Sequence, residues 1–235
     1  MLEVLFFLPL GTGLLMLGLP SRALRRCLLL LVAVTHLALS LLTLLAVGRG
    51  ETPAALGGLL APDAVGALFL GLASTLFAAA SWYGVGYLRD EALKGERTGF
   101  QDGRPFTNAP ERRFTACLCF FLSAMTLVTT TRHLGALWMG IEGTTLASAP
   151  LIYFHRHQQS LEATWKYLII CSVGIALALI GNLLLSIGFY RPGLVLEEGL
   201  DQVGIFVNMA RAVRESGFYG VQSPWLQAAL SLIHI

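Results

Sequence analysis

Charge is scarce in this chain: 13% of its residues are Asp, Glu, Lys or Arg, against roughly 25% in a soluble domain. That is too few to wet a surface, and a water-soluble fold is excluded. Cysteine is scarce as well. The four thiols, Cys27, Cys117, Cys119 and Cys171, lie in or beside apolar blocks, where thiols behave as small hydrophobes. Cys117 and Cys119 are two apart, so on a helix they point to different faces and make no compact metal site. No His/Cys/carboxylate grouping has metal-ligand spacing, and there is no phosphate-binding loop or nucleophile motif. The chain is therefore expected to hold no redox centre, metal or cofactor of its own and to bind no nucleic acid. Internal repeats and low-complexity segments are missing too. So is the apolar/polar alternation that marks the strands of a membrane barrel.

What the sequence does have is apolar length. Hydrophobic residues make up 55% of the chain and the mean hydropathy is +0.69. They are gathered into blocks that reach the roughly 20 residues needed to cross a hydrocarbon core about 30 Å thick. The blocks predict an all-α integral membrane protein, a polytopic helix bundle of six complete spans and a truncated seventh. The spans are 2–19, 27–47, 65–88, 114–131, 134–154 and 165–190. A last apolar stretch, Trp225 to Ile235, stops after 11 residues, too few to cross a bilayer. The expectation is a single membrane domain over 1–235 that forms the N-terminal portion of a longer chain.

The first block is not a signal peptide, because its basic residues Arg22, Arg25 and Arg26 follow the apolar run instead of preceding it. An outside N-terminus makes 20–26, 89–113 and 155–164 the inner loops. With Lys166 at the mouth of the sixth span they carry eleven basic residues, against five (Arg49, Arg132, Arg191, Arg211, Arg214) outside. Positive charge gathers on the cytoplasmic side, so the chain is placed in the cell's inner (plasma) membrane with its N-terminus outside. Residues 89–113 mix basic and acidic groups with Gly and Pro and read as a solvated inner loop. Val203, Phe206, Val207 and Ala210 form the apolar strip of an amphipathic helix expected over Gln202–Ser216, lying on the membrane surface.

Ionisable residues within a span are expensive and usually functional. Away from span ends there are two, Glu142 and His36. Glu142 lies near the middle of the fifth span among Gly140, Gly143, Thr144, Thr145 and Ser148. Small residues let helices approach closely, and hydroxyls can hold a proton or water chain. A carboxyl there is raised in pKa by desolvation and lowered by a nearby cation, the combination a switchable proton carrier needs. Pro150, one to two turns on, either kinks the helix or is an ordinary membrane-helix proline. Lys166 either snorkels to the headgroups between Trp165 and Tyr167 or lines an inner proton entrance. A direct pair with Glu142 is too long, so water would bridge them. His36, with Ser40 one turn on, is either a satisfied structural histidine or a member of a polar path. His133, His155 and His157 sit at span ends, where interfacial exposure accounts for them.

The stretch Leu137-Trp-Met-Gly-Ile-Glu142-Gly-Thr-Thr-Leu-Ala-Ser-Ala-Pro150, followed by Ser160-Leu-Glu-Ala-Thr-Trp-Lys166-Tyr, resembles the antiporter-like subunits of complex I and its relatives. Leu161 to Tyr167 and Cys171-Ser-Val-Gly-Ile-Ala-Leu-Ala-Leu look most like hydrogenase-4 component F, the large membrane subunit of group 4 nickel–iron hydrogenases and formate hydrogenlyase-type complexes. Tyr83-Gly-Val-Gly-Tyr87 fits too, and the resemblance is specific over 114–181. It implies about fourteen helices in two inverted five-helix repeats, each with a broken helix. It also implies that Glu142 is the fifth-helix glutamate that pairs with a lysine on the broken seventh helix. Lys166 would be the sixth-helix lysine on the inner proton route.

The function expected is that of a proton-translocating membrane subunit of a redox-driven respiratory complex. Its implied partners are the lipid bilayer, other membrane subunits and a peripheral iron–sulfur redox module. Proton translocation falls to Glu142, Lys166 and His36. An Mrp-type cation/proton antiporter subunit is the alternative. A purely structural membrane anchor is disfavoured, since an anchor needs no carboxyl at bilayer depth.

Overall fold

The computed structural model describes residues 1–93, 97–98, 105–106 and 108–188. Among these residues the chain forms α1 (Leu2–Gly18), α2 (Arg22–Gly48), α3 (Ala64–Leu93), α4 (Glu111–Thr130), α5 (Leu134–Ile152) and α6 (Gln158–Gly188). A single 3₁₀ turn, Leu56–Gly58, lies between α2 and α3. Two residue pairs between α3 and α4, β1 (Arg97–Thr98) and β2 (Pro105–Phe106), form an antiparallel ribbon. Helices prevail because a backbone in hydrocarbon must satisfy its own polar groups, and a helix does so within one segment. α2, α3, α4 and α6 are long and apolar enough to cross a membrane by length and composition. The chain is a multi-pass membrane protein. At 17 residues, α1 falls short of the usual 20, and α5 has Glu142 and three hydroxyls in its middle.

α4 is the central strut, packing against α1, α3 and α5, while α2 lies against α3 and α6 against α5. The core joins Met16 of α1, Leu29, Val32 and Ala33 of α2, Phe77 of α3, and Ala116, Cys119 and Leu122 of α4. A second apolar cluster, Leu2, Leu5, Leu60 and Leu70, closes one end. At that end the α2–α3 connection is tied to the α4–α5 junction: Ala61 N donates to Thr130 O at 2.7 Å and Arg132 Nε to Ala61 O at 2.7 Å.

The opposite end gathers the α1–α2 turn, the α3 and α4 ends and the α5–α6 turn. Here the structure corrects two boundaries. The solvated loop expected over 89–113 is shorter, because α3 runs on to Leu93 and α4 begins at Glu111. Polar partners make this extension affordable. Arg26 of α2 donates to both oxygens of Glu111, Nε at 2.8 Å and Nη2 at 3.0 Å, and to Leu88 O at 3.3 Å. Asn108 Nδ2 donates to the buried Glu91 carboxylate at 2.9 Å. Likewise α6 begins at Gln158, seven residues before the expected Trp165. There His157 Nδ1 accepts from Ser160 N at 3.0 Å and holds a free helical N–H. The expected helix at 202–216 and the stretch 225–235 lie outside the described residues.

Close approach of α5 to α4 rests on Gly140. A Cβ there would meet Val128 Cγ2 at 2.8 Å, Val128 N at 3.2 Å and Ala124 O at 3.4 Å, and backbone atoms cannot rotate away. Small residues at a membrane helix interface serve this purpose. Gly140→Val is therefore expected to destabilise the bundle by about 1–3 kcal/mol, the usual cost of overpacking, and Gly140→Ala by less. Thermal unfolding in a neutral detergent reads both. Wild-type stability of Gly140→Val would show that the two helices do not pack as described.

Candidate proton-carrier site

Consecutive residues are 100° apart around a helix, so Glu142 stands about 200° from Gly140. With Gly140 against α4, Glu142 faces α6, and Ser172 Oγ of α6 donates to its Oε1 at 2.8 Å. A second bridge lies nearer the other end of the pair: Ser148 Oγ and Tyr167 OH are 2.7 Å apart. The two bridges join 142 to 172 and 148 to 167, the register of antiparallel neighbours.

Around the carboxylate the hydroxyls are held by their own helix. Thr144 Oγ1 donates to Ile141 O at 2.7 Å and Thr145 Oγ1 to the same oxygen at 3.3 Å, and Ser148 Oγ lies 2.9 Å from Thr145 O. One turn before Glu142, on the same face, the buried Trp138 Nε1 has no hydrogen-bond partner among the described residues. Glu142 itself is half-buried, so neither water nor a further partner is shut out. The site is a carboxyl within a helix, steadied by one hydroxyl from the adjoining helix and open on another side.

The three residues singled out from the sequence are not brought together. Lys166 is largely exposed, and its Nζ meets Glu162 Oε1 one turn back on α6 at 2.5 Å. Six residues separate Lys166 from Ser172, which turns it about 120° away from the face that meets Glu142. Glu162, expected at a loop edge, is helical and exposed.

His36 belongs to another group of helices. It is 1% exposed, with Nδ1 2.9 Å from Ser74 Oγ of α3 and Nε2 2.9 Å from Thr126 Oγ1 of α4. Both hydroxyls also lie within reach of a carbonyl in their own helix, Ser74 with Leu70 O at 2.7 Å and Thr126 with Leu122 O at 2.8 Å. Each hydroxyl has one proton. If both give it to their carbonyls, both ring nitrogens must donate. A neutral ring needs one hydroxyl to turn toward it. The ring thus knits α2, α3 and α4 together. His36→Leu fills much of the space but loses both bonds, and each hydroxyl keeps its carbonyl. The expected cost is about 1–3 kcal/mol, read as a lower unfolding temperature in detergent. An unchanged temperature would show that the ring does not join these helices.

No family model matches the chain. It is 42% identical over 79 residues to the hydrogenase-4 component F homolog of Methylacidiphilum infernorum (isolate V4), a match covering 34% of this chain and 16% of that protein. It is 38% identical over 69 residues to NADH-ubiquinone oxidoreductase chain 2 of Tetraodon nigroviridis, covering 29% of this chain and 20% of that one. Over these stretches the chain is similar to hydrogenase-4 component F and to NADH-ubiquinone oxidoreductase chain 2. It spans a minor part of these relatives' length. The fold agrees. The structure of the membrane-bound sulfane sulfur reductase, an archaeal respiratory membrane complex, contains a chain that superposes with a TM-score of 0.70. That match covers 99% of this chain and 43% of that one, at 15% identity.

Several polar partners are not evident from the sequence. Ser172 stands in the apolar run of α6 as one hydroxyl among several, and only the helix register pairs it with Glu142. Tyr167 reads as an interfacial aromatic, yet it bonds Ser148. His155, explained by interfacial exposure, joins Tyr87 OH (2.9 Å, through Nε2) to Asn108 Oδ1 (2.7 Å, through Nδ1). His133 and His157 serve as helix caps, accepting from Ala136 N at 3.4 Å and Ser160 N at 3.0 Å.

Proposed function

We propose that the chain is part of a proton-translocating membrane subunit of a redox-driven respiratory complex, of the hydrogenase-4 or NADH:quinone oxidoreductase type. In this reading 1–235 is one membrane unit with six complete crossings and part of a seventh, its N-terminus outside the inner membrane. Its partners are other membrane subunits and an iron–sulfur module that carries the electrons. The relatives' names and the fold of the archaeal chain support this reading.

The observation that carries it is the Glu142–Ser172 bridge between α5 and α6. A carboxyl placed within a membrane helix is retained at a cost, and among the described residues it meets one hydroxyl donor and no counter-charge. Its protonation then responds to any cation brought near from the uncovered side. Lys166, eight residues into α6 and paired with Glu162 one turn back, is in this reading the group that passes protons between the inner solution and the bundle. Of the three candidates, His36 has the most structural role, joined to two hydroxyls on two neighbouring helices.

The test is proton uptake by the assembled complex in vesicles, with Glu142→Gln against the unaltered protein. Loss of uptake with assembly intact is the expected result. Normal uptake would refute the proton-carrier role.

A further inference from the structure

A cleft of about 360 Å³ opens where α1 turns into α2, α3 ends and α4 begins. Arg22, Arg25 and Arg112 line it, together with Glu91, Glu111 and Asn108. The two carboxylates are already engaged, Glu111 by both donors of Arg26 and Glu91 by Asn108. The three arginines have no such partners, and among the described residues none of them meets a carboxylate. Arg25 is the telling one. It is only 5% exposed, its Nη1 donates to Leu19 O at 2.6 Å, and its Nε has no hydrogen-bond partner among the described residues.

A guanidinium taken out of water without a counter-charge is strongly disfavoured, so a site that keeps one needs an anion. Three guanidinium groups around one cleft match a tetrahedral oxyanion, whose oxygens accept from planar forks of donors. The cleft is at the helix ends of a membrane protein, the depth of lipid headgroups, and Leu19, Leu88 and Phe154 give it apolar walls. Basic pockets between helix ends take the phosphates of anionic lipids. We propose that this cleft binds a phosphate group, presented by the headgroup of an anionic phospholipid.

The full chain, purified in neutral detergent, is titrated with phosphatidylglycerol, phosphatidylcholine or inorganic phosphate. Bound lipid is counted by native mass spectrometry and unfolding is followed thermally. Phosphatidylglycerol is expected to bind at least tenfold more tightly than phosphatidylcholine and to raise the unfolding temperature. Arg22→Gln with Arg112→Gln changes two exposed side chains and leaves the lipid-free unfolding temperature alone, yet it weakens phosphatidylglycerol binding at least tenfold. Arg25→Lys keeps the charge but loses the fork, and an intermediate loss supports the site. Arg113→Gln, exposed and outside the cleft, leaves binding unchanged. Equal stabilisation by inorganic phosphate, lost in the same variants, keeps the arginine site but overturns the lipid as its source. Equal binding of the two lipids, or unaltered phosphatidylglycerol binding by the double variant, overturns the proposal.

Discussion

Glu142→Gln in the assembled complex is expected to reduce proton uptake to the background of protein-free vesicles. Gln has nearly the size of Glu and can still accept from Ser172 Oγ, which now lies 2.8 Å from the carboxylate oxygen. The α5–α6 contact and assembly should therefore survive. An amide cannot take up or release a proton at physiological pH, so a route through this residue closes completely. Glu142→Asp keeps the titrating group but withdraws it by one methylene, and uptake should fall only in part. Ser172→Ala removes one donor to the ionised form. Uptake by that variant should fall far less than in Glu142→Gln, since the carboxyl itself remains. Glu162→Gln touches a carboxylate that is exposed and paired only with Lys166, and exposed pairs contribute little. It is the control that should behave as the unaltered protein. If Glu162→Gln and Glu142→Gln lower uptake equally, the effect is general and not a carrier's.

Removing Arg26 is expected to be the most destabilising single change at the basic end of the bundle. Its guanidinium bridges α2 to the first turn of α4 through two bonds to Glu111, and the side chains are 18% and 10% exposed. Arg26→Met fills the volume but leaves Glu111 sheltered and without a cation, a loss of about 3–5 kcal/mol for a fully buried pair and somewhat less here. Glu111→Gln should cost less, since the amide still accepts from Arg26. The double change Arg26→Met with Glu111→Met should recover much of the loss, because an apolar pair leaves no charge stranded. Unfolding temperatures of the single and double variants close the cycle. Additive losses would show that the two side chains do not interact.

Helix placement was legible in the sequence because a bilayer demands long apolar segments and little else does. Among the described residues each expected span overlaps a helix, and four of these helices are long and apolar enough to cross a membrane. The boundaries that shifted are those where polar residues continue a helix past the apolar run. Glu111, Glu91 and Gln158 read as loop residues by composition, yet Arg26, Asn108 and the His157 cap hold them in or beside helices. A composition pattern cannot show such partners, since Arg26 and Glu111 lie 85 residues apart.

Glu142 stood out from the sequence because a carboxyl inside an apolar run has few reasons to be kept. Its partner did not. Ser172, Cys171 and Tyr167 look equally eligible in the α6 run, and the pairing depends on how far α6 slides along α5. His36 was legible as an oddity, but its hydroxyl partners come from α3 and α4, 38 and 90 residues away. Arg25 was legible only as one more positive charge near a helix end.

The sequence by itself determined the class of molecule, the position of its helices and the one carboxyl worth testing, because hydropathy and the cost of buried charge are local properties of the chain. The tertiary structure decided which groups meet: Glu142 with Ser172, His36 with Ser74 and Thr126, Arg26 with Glu111, and Arg25 with no carboxylate among the described residues. Those outcomes depend on helix rotation and register, which are set by close contacts such as that of Gly140 against Val128 and not by any residue's own preference.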